Sequence, residues 1–229
     1  MVDSKSKAER VYSLLRADVL AGRQAPGKRL RYAELCEKYE ASMGVIREAL
    51  LRLAEQGLIK GEPQQGFQVV SLSREDLVDL TDARCELETT VLGLAVRHGD
   101  IEWESRAIAA HHRLVRTPQL EPGDPERLSD AWVAAHAEFH DLLLDGCPNR
   151  RLKGMALALR DSAELYRRWS LPLGQDPDRD VAKEHVAILE AVVDRNAEEA
   201  TARLRAHVLR TTESLLSSEV AVDSATSDL

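Results

Sequence analysis

Residues 28–70 read KRLRYAELCEKYEASMGVIREALLRLAEQGLIKGEPQQGFQVV, and this stretch decides the fold of the N-terminal part of the chain. A short helix is predicted at 32–39, and Ala41 and Ser42 separate it from another helix that Ser42 is placed to cap. Two short apolar runs, 58–60 and 67–70, then flank a segment with glycine and proline. With a further helix predicted at 8–21, the order helix, helix, turn, helix and hairpin predicts a winged helix-turn-helix.

The third predicted helix has two distinct sides. Met43, Gly44 and Arg47 lie near its N-terminus and away from its apolar stripe, at the end from which a recognition helix contacts bases. Residues 1–70 carry 12 Lys and Arg against 9 Asp and Glu, whereas the whole chain has a net charge of −8. This asymmetry predicts that the N-terminal part alone approaches DNA phosphates, with Arg29 and Arg31 among the contacts. The stripe consists of Ile46, Ala49, Leu50 and Leu53.

The segment Ser42–Leu50 (SMGVIREAL), with Arg52-Leu53, Gly57-Leu58 and Gly66 after it, resembles the GntR family of bacterial transcription regulators. The resemblance implies that Arg47 contacts the operator, that Ser42 touches backbone or base, and that Gly66 lies at the wing tip in the minor groove. Met43 stands where the family usually has arginine, and methionine cannot make the two parallel hydrogen bonds by which arginine reads guanine. The predicted DNA-binding residues are Arg47, Ser42, Met43, Gly44, Arg29, Arg31, Arg52, Gln65 and Gly66.

From Ser73 onward the sequence predicts helices almost throughout, and no strand pattern stands out. Ser73 with Asp76 resembles a capping box, and segments with proline and glycine at 117–125 and 171–177 are the breaks. The predicted fold is therefore mainly α. It comprises a winged helix-turn-helix domain at 1–72, an all-helical antiparallel bundle at 73–218 and a disordered tail at 219–229. The predicted helices of the bundle are 74–98, 101–116, 126–145, 149–170, 179–194 and 197–217.

Four histidines lie inside predicted apolar stripes of the bundle. His136 and His140 are one turn apart on one helix, and His185 and His207 belong to two others. A lone histidine on an apolar face is usually a satisfied core residue. Two imidazoles at i and i+4 project the same way, however, and can share an ion that histidines of other helices complete. From the residues alone both interpretations stay open. The remaining histidines, His98, His111 and His112, are predicted to be solvated.

The pairs Phe139-His140 and Glu184-His185, with His207 in the last predicted helix, resemble the FCD effector domain of the FadR branch of GntR regulators. The resemblance implies an all-helical bundle that binds a divalent metal through one Asp and three His, and a small carboxylate effector beside the metal. Histidine stands here at position 136, where aspartate is usual. Such a neutral ligand set favours Zn²⁺ or Ni²⁺ over Mn²⁺. The predicted metal ligands are His136, His140, His185 and His207. The alternative for His136 is that it lies outside this ligand set and binds a ligand instead.

Arg84 and Tyr166 are the candidate effector-binding residues. Arg84 lies in the apolar stripe of the 74–98 helix, and a guanidinium that enters a bundle needs a partner because an unpaired buried charge is very unfavourable. One interpretation is a salt bridge to Glu88, one turn on; the other is a counter-ion for a carboxylate effector. Tyr166 also lies in a stripe, where it is either pocket lining or plain core.

Taken together, these patterns predict a ligand-responsive transcription regulator, by resemblance a repressor, and not an enzyme. It is predicted to bind a palindromic double-stranded DNA operator as a homodimer in the cytoplasm. The alternatives are a regulator whose helical domain only dimerises and a metal-dependent hydrolase. A hydrolase needs a base beside the metal, whereas Glu138 lies about 160° around the helix from the side that His136 and His140 share. No run of about 18 apolar residues exists, so no membrane partner is expected.

Overall fold

The structure is a computed structural model that describes residues 6–62, 66–71, 73–170 and 179–217. Its N-terminal half consists of three helices and a three-stranded antiparallel sheet. The strand order is β1-β3-β2, and Leu30 pairs with Phe67 while Ile59 pairs with Val69. The hairpin β2–β3 is the predicted wing. These elements are α1 (Lys7–Leu20), β1 (Arg29–Leu30), α2 (Tyr32–Lys38), α3 (Met43–Glu55), β2 (Ile59–Glu62) and β3 (Gly66–Val69).

Two local features of this half differ from the sequence prediction. Strand β1 was not predicted, because a strand of two residues is too short to show a hydrophobic period. Ser42 occupies the N-cap position of α3, as predicted, but its side chain makes no capping hydrogen bond. Gly57 follows the C-terminal end of α3 with a φ of +70°, a conformation that glycine takes without steric strain.

The C-terminal half is a helical bundle around a separate apolar core. Helix α4 packs against α9 and α7, α5 packs against α6, and α8 packs against α9. Trp103, Phe139 and Ile188 are among its fully buried side chains. These findings confirm the predicted fold class. The helices are α4 (Arg74–His98), α5 (Ile101–Arg116), α6 (Asp130–Asp145), α7 (Arg150–Ser170), α8 (Val181–Val193) and α9 (Ala197–Ser217).

A small hairpin precedes α6 and corrects the sequence prediction of a helix from 126 and of no strand in this half. Its strands are β4 (Leu120–Glu121) and β5 (Asp124–Leu128), and they pair antiparallel. Helix α6 begins later than predicted because Ser129 is its N-cap, where the hydroxyl accepts a hydrogen bond from the Trp132 amide at 3.1 Å. The predicted cap of α4 is confirmed, since Ser73 Oγ accepts from the Asp76 amide at 2.9 Å.

One apolar cluster joins the two halves. Leu77, Leu165, Tyr166 and Leu215 of the bundle belong to the same buried cluster as the core of the winged helix, including Leu50 of α3. The predicted domain boundary at residue 72 and the predicted tail at 219–229 lie outside the residues that the structure describes. Both therefore stay predictions. Among the described helices, none is both long and apolar enough to span a membrane.

Candidate metal centre and recognition helix

Four histidines converge in the interior of the bundle. His136 and His140 lie one turn apart on α6, His185 lies on α8 and His207 on α9. All four are buried, and one ring nitrogen of each lies within 4.8 Å of the corresponding nitrogen of every other. They meet because the apolar faces of α6, α8 and α9, on which they lie, turn toward the same interior.

Burial keeps these four imidazoles neutral. It is the largest effect on each, and it lowers the pKa of every one below the ordinary value near 6.5, that of His185 to about 2. The positive charges of Arg167, Arg160 and Arg179 lower the pKa of His136, His140 and His207, respectively, still further. A neutral imidazole keeps a lone pair on one nitrogen, which is the form in which histidine binds a metal.

The spacing and the donor type fit a divalent cation. Nε2 of His140 and Nε2 of His185 lie 3.2 Å apart. Two nitrogens that each lie about 2.0–2.1 Å from a tetrahedral zinc ion are separated by about 3.3 Å. Imidazole nitrogens suit Zn²⁺ and Ni²⁺ better than the oxygen-preferring Mn²⁺. The residues present therefore fit the predicted cofactor class.

A carboxylate orients one of the histidines from outside the cluster. His207 Nδ1 and Glu184 Oε2 are 2.7 Å apart, and Arg179 donates to both oxygens of Glu184 at 2.8 and 2.7 Å. Burial alone would raise the pKa of Glu184, but the hydrogen bonds from Arg179 and His207 outweigh it and lower that pKa to about 2. The ionised carboxylate holds the His207 proton on Nδ1, so Nε2 keeps its lone pair for a ligand.

His136 has a different outer contact. Arg167 donates from Nη1 to His136 Nδ1 at 2.7 Å, and its guanidinium also pairs with Glu164. The ring of His136 stacks on Trp132 with centroids 4.9 Å apart. The nearest printed contact of His136 Nδ1 is thus an arginine, whereas His207 Nδ1 lies 2.7 Å from a carboxylate oxygen and 3.4 Å from Arg179 Nη2.

A cavity of about 90 Å³ lies beside the cluster. Leu77, Trp132 and Val208 contribute apolar lining, and His136, His140 and His207 border it. Several cationic side chains also face it, which suits an anionic ligand. The arginines that line the cavity are Arg84, Arg160, Arg167 and Arg179.

Arg84 forms the intramolecular pair that the sequence left as one of two interpretations. Its Nε donates to Glu88 Oε1 at 2.6 Å, and Glu88 is only 1% exposed. The other oxygen of Glu88 accepts from Arg160 Nη1 at 3.2 Å, and Arg160 Nε donates to Asp141 at 3.1 Å. The predicted salt bridge between Arg84 and Glu88 is therefore present. Arg84 also lines the cavity, and its contact with an effector stays a prediction.

Tyr166 joins α7 to the start of α4. Its hydroxyl donates to Asp76 Oδ2 at 2.5 Å and accepts from the Ser73 amide at 3.2 Å. The side chain is buried and also lines the cavity. Tyr166 is thus both core and pocket lining.

Several residues of this region were missed by sequence reasoning. Arg160 had a detectable signal, because it lies at helical spacing between Ala156 and Ala163, as Arg84 does in its own stripe. Arg167 continues the same spacing four residues after Ala163. Arg179 had no such signal, since its role comes from a contact with α9. Glu184 belongs to the Glu-His pair of the family resemblance, which gave it no role of its own. His111 is a correction: it was predicted to be solvated, but its Nε2 is buried without a hydrogen-bond partner among the described residues, and its ring lies 5.2 Å from that of Phe139.

The DNA-facing end of α3 is open to solvent. Met43 is 63% exposed, Ser42, Gly44 and Arg47 are also exposed, and a side chain at Gly44 would meet nothing within 4 Å. Gly66 opens β3 at the wing with a φ of +84° and with free space around it. Arg29 and Arg31 are exposed at and after β1, and Arg31 lies 3.8 Å from Glu34. The arrangement leaves these residues accessible to a duplex.

Two residues of the predicted DNA-binding set stand apart. Arg52 Nη1 lies 2.9 Å from Glu9 Oε2, and its guanidinium lies 3.6 Å from the ring centre of Tyr12. These contacts turn Arg52 toward α1, and its contact with DNA stays a prediction. Gln65 lies outside the described residues.

Glu138, the residue that decided against a hydrolase, faces outward. It accepts from Arg113 Nη2 at 2.6 Å on the surface, and 46% of its side chain is exposed. It therefore does not lie beside the histidines as a general base would.

Comparisons with known proteins agree on both halves. Residues 7–69 match the family described as Bacterial regulatory proteins, gntR family, and residues 79–210 match the FCD domain. The HTH-type transcriptional regulator BphR of Paraburkholderia xenovorans (strain LB400) is 35% identical over 204 residues, covering 89% of this chain and 83% of that protein. The HTH-type transcriptional repressor GlaR of Escherichia coli (strain K12) is 31% identical over 201 residues, covering 86% of this chain and 90% of that protein. The solved structure of E. coli McbR/YncC shares the fold, with a TM-score of 0.76 at 21% identity over 93% of this chain and 98% of that chain.

Proposed function

The chain belongs to the GntR family of bacterial regulatory proteins and carries an FCD domain, and on that premise we propose that it represses transcription in response to a small carboxylate bound beside a divalent metal. It is a DNA-binding transcription regulator, as the sequence predicted. The relative GlaR is named a repressor, which supports repression here. The proposed site of action is the cytoplasm, where a bacterial regulator meets its operator.

The histidine cluster beside the arginine-lined cavity carries the sensing part of the proposal. Four buried imidazoles with lowered pKa values beside a cavity lined by four arginines support a site for a metal and an anionic ligand. Bound there, a divalent metal would supply a Lewis-acidic coordination site for a carboxylate oxygen. Arg84, Arg160 and Arg179 supply hydrogen-bond donors that match the second oxygen of a carboxylate.

Operator binding is proposed to use a homodimer and two inverted half-sites. A single winged helix makes few contacts, and two of them on one palindrome gain affinity through their effective concentration. Arg47, Met43 and Gly44 on α3 are the proposed base-contacting residues, with Ser42 and Gly66 beside them. Arg29 and Arg31 are the proposed phosphate contacts, so affinity for the operator should fall steeply with salt.

Helix α7 provides a physical route between the cavity and the DNA-binding half. Arg160 lines the cavity, whereas the next residue, Asp161, pairs with Arg16 of α1. Ser162 Oγ lies 3.4 Å from the carbonyl oxygen of Gln56, which caps α3. A ligand that draws Arg160 or Arg167 toward the cavity would shift α7 against both contacts. The ligand then favours one arrangement of the winged helices over another, which is a population shift.

The regulator whose helical domain only dimerises remains the second candidate. The pairing of Arg84 with Glu88 favours it, because this arginine already has a counter-charge within the chain. The two candidates differ in whether small molecules and metals change the stability of the protein.

Elemental analysis and a thermal-shift screen of the full chain test the proposal. Wild-type protein is expected to hold one divalent metal per chain, and His140→Ala with His185→Ala is expected to hold none. A small carboxylate should raise the Tm of the metal-loaded wild type but not that of the double variant. His98→Ala, at an exposed residue of α4, is the matched control and should behave as wild type.

Metal retained by the double variant would refute the ligand set. If neither a chelator nor any acid in the screen moves the Tm of the wild type, the sensing proposal fails and the second candidate is favoured.

A further inference from the structure

The contact between Arg167 and His136 restricts what His136 can do. Arg167 Nη1 lies 2.7 Å from His136 Nδ1. Every nitrogen of a guanidinium is a donor only, so Nδ1 of His136 must be the acceptor. A neutral imidazole carries a single N–H, and here that hydrogen lies on Nε2. Neither nitrogen of His136 then has a lone pair to spare for a metal.

His207 has a carboxylate as the nearest contact of its Nδ1. Glu184 Oε2 lies 2.7 Å from this nitrogen and Arg179 Nη2 lies farther away, at 3.4 Å. The carboxylate fixes the proton on Nδ1 and leaves Nε2 free. Histidines that bind metals almost always donate their other N–H to an acceptor in this way. His136 faces a donor where a metal ligand would face an acceptor.

The ring positions separate the same histidine from the other three. The centroids of His140, His185 and His207 form a nearly equilateral triangle with sides of 5.1, 5.1 and 4.9 Å. Three imidazoles on a tetrahedral zinc ion would have centroids about 5.2 Å apart, given zinc–nitrogen bonds of about 2.0–2.1 Å. The His136 ring lies 4.5 and 5.0 Å from two of them but 6.4 Å from that of His207.

Neighbouring groups hold both members of this contact in place. Arg167 is paired with Glu164 one turn earlier on α7, and its guanidinium lies 5.5 Å from the ring centre of Trp132. His136 stacks on the same Trp132, with an interplanar angle of 27°. Withdrawal of Arg167 from His136 would break these contacts together.

We propose that a divalent metal in this cluster is held by His140, His185 and His207, and that Arg167 is a positioning residue that keeps His136 outside the ligand set. This inference rests on the proposed metal-dependent function. Three neutral ligands leave an open coordination position, as in catalytic and sensing sites that accept an external ligand. His136 lines the cavity with an N–H to donate, so it is suited to bind the oxygen-bearing ligand that occupies that position.

Zinc titration of the metal-free full chain, with a competing chromophoric chelator, tests the assignment. His136→Gln should bind Zn²⁺ within about 3-fold of wild type. His140→Gln should bind it more than about 100-fold more weakly, because losing a ligand exceeds the 10–100-fold effect of losing an outer contact. Equal weakening in both variants would overturn the proposal. Circular dichroism melting of each metal-free variant checks that it is folded, and His136→Ala serves as the second variant at this position.

Arg167→Met tests the positioning role separately. Without the guanidinium, Nδ1 of His136 can carry the ring hydrogen, so Nε2 gains a lone pair with which His136 can bind the metal. The affinity for Zn²⁺ should therefore increase by about 10-fold. The tightening should vanish in Arg167→Met with His136→Gln. Unchanged affinity in Arg167→Met would overturn the role given to Arg167. If the wild type itself binds no Zn²⁺, the proposed function fails first, and this result is distinct from a failure confined to position 136.

Discussion

Asp161 of α7 pairs with Arg16 of α1, so the helix that forms one wall of the cavity also contacts the first helix of the winged domain. Arg160, the adjacent residue, contacts Glu88 inside the bundle and Asp141, whose side chain is half exposed. Two consecutive residues of one helix therefore connect the interior of the bundle with the DNA-binding half.

Asp161→Asn should loosen α1 without unfolding the protein. Both side chains of the pair are 29% exposed, so its contribution to the free energy of unfolding is at most about 1 kcal/mol. The expected result is faster amide hydrogen exchange in α1, because local opening there loses one of its contacts with α7. Asp145→Asn, which removes a similar pair with Arg106 and Lys153 away from α1, is the matched control. Unchanged exchange in α1 would show that the Asp161 contact does not hold the two halves together.

Arg47→Ala should weaken operator binding by about 1–3 kcal/mol and relax base preference, because a base-contacting arginine is lost from the exposed end of α3. Fluorescence anisotropy with the selected operator and with mismatched duplexes measures both effects. Arg52→Ala is the comparison, since Arg52 contacts Glu9 and Tyr12 within the domain. It should lower the Tm and leave base preference unchanged. A loss of base preference in Arg52→Ala alone would reverse the assignment of the two arginines.

Glu88→Gln should destabilise the bundle by about 3–5 kcal/mol, because it leaves Arg84 and Arg160 in the interior without this shared counter-charge. Chemical unfolding followed by circular dichroism measures the change. Glu86→Gln lies on the same helix but removes a surface pair with Arg205, and it should change the free energy of unfolding by no more than about 0.5 kcal/mol. Equal effects of the two substitutions would contradict the buried network.

The metal-free protein should lose stability as the pH falls below about 6.5. Burial lowers the pKa of the four clustered histidines in the folded state, so between pH 6.5 and 5 the unfolded chain binds more protons than the folded one. The free energy of unfolding then decreases with falling pH, by up to about 1.4 kcal/mol per pH unit for each histidine, while it becomes insensitive to these groups about one pH unit above 6.5. Urea unfolding with a chelator present measures the slope.

His185→Gln is the control for this pH effect. The folded-state pKa of His185 is about 2, so its removal should reduce the slope between pH 6.5 and 5 by up to about 1.4 kcal/mol per pH unit. A slope identical to that of the wild type would show that His185 titrates normally in the folded protein.

Much of the fold followed from local patterns. The recognition helix with its stripe of Ile46, Leu50 and Leu53 is found where the spacing indicated, because a period of 3.6 residues is a local property of the chain. The hairpin before α6 was not found in advance, since β4 has two residues and β5 carries no alternating pattern. Short strands depend on pairing with a partner, and pairing leaves little trace in sequence.

The spacing of residues alone placed four histidines on the inner faces of three helices, because the helical period decides which side chains share a face. It also placed Arg47 at the exposed end of α3. Which nitrogen of each imidazole is free depends instead on the packing of helices that are distant in sequence. Glu184 of α8 meets His207 of α9, and Arg167 of α7 meets His136 of α6. A hydrogen bond requires two atoms within about 3 Å, and only the folded arrangement of the bundle brings these pairs that close.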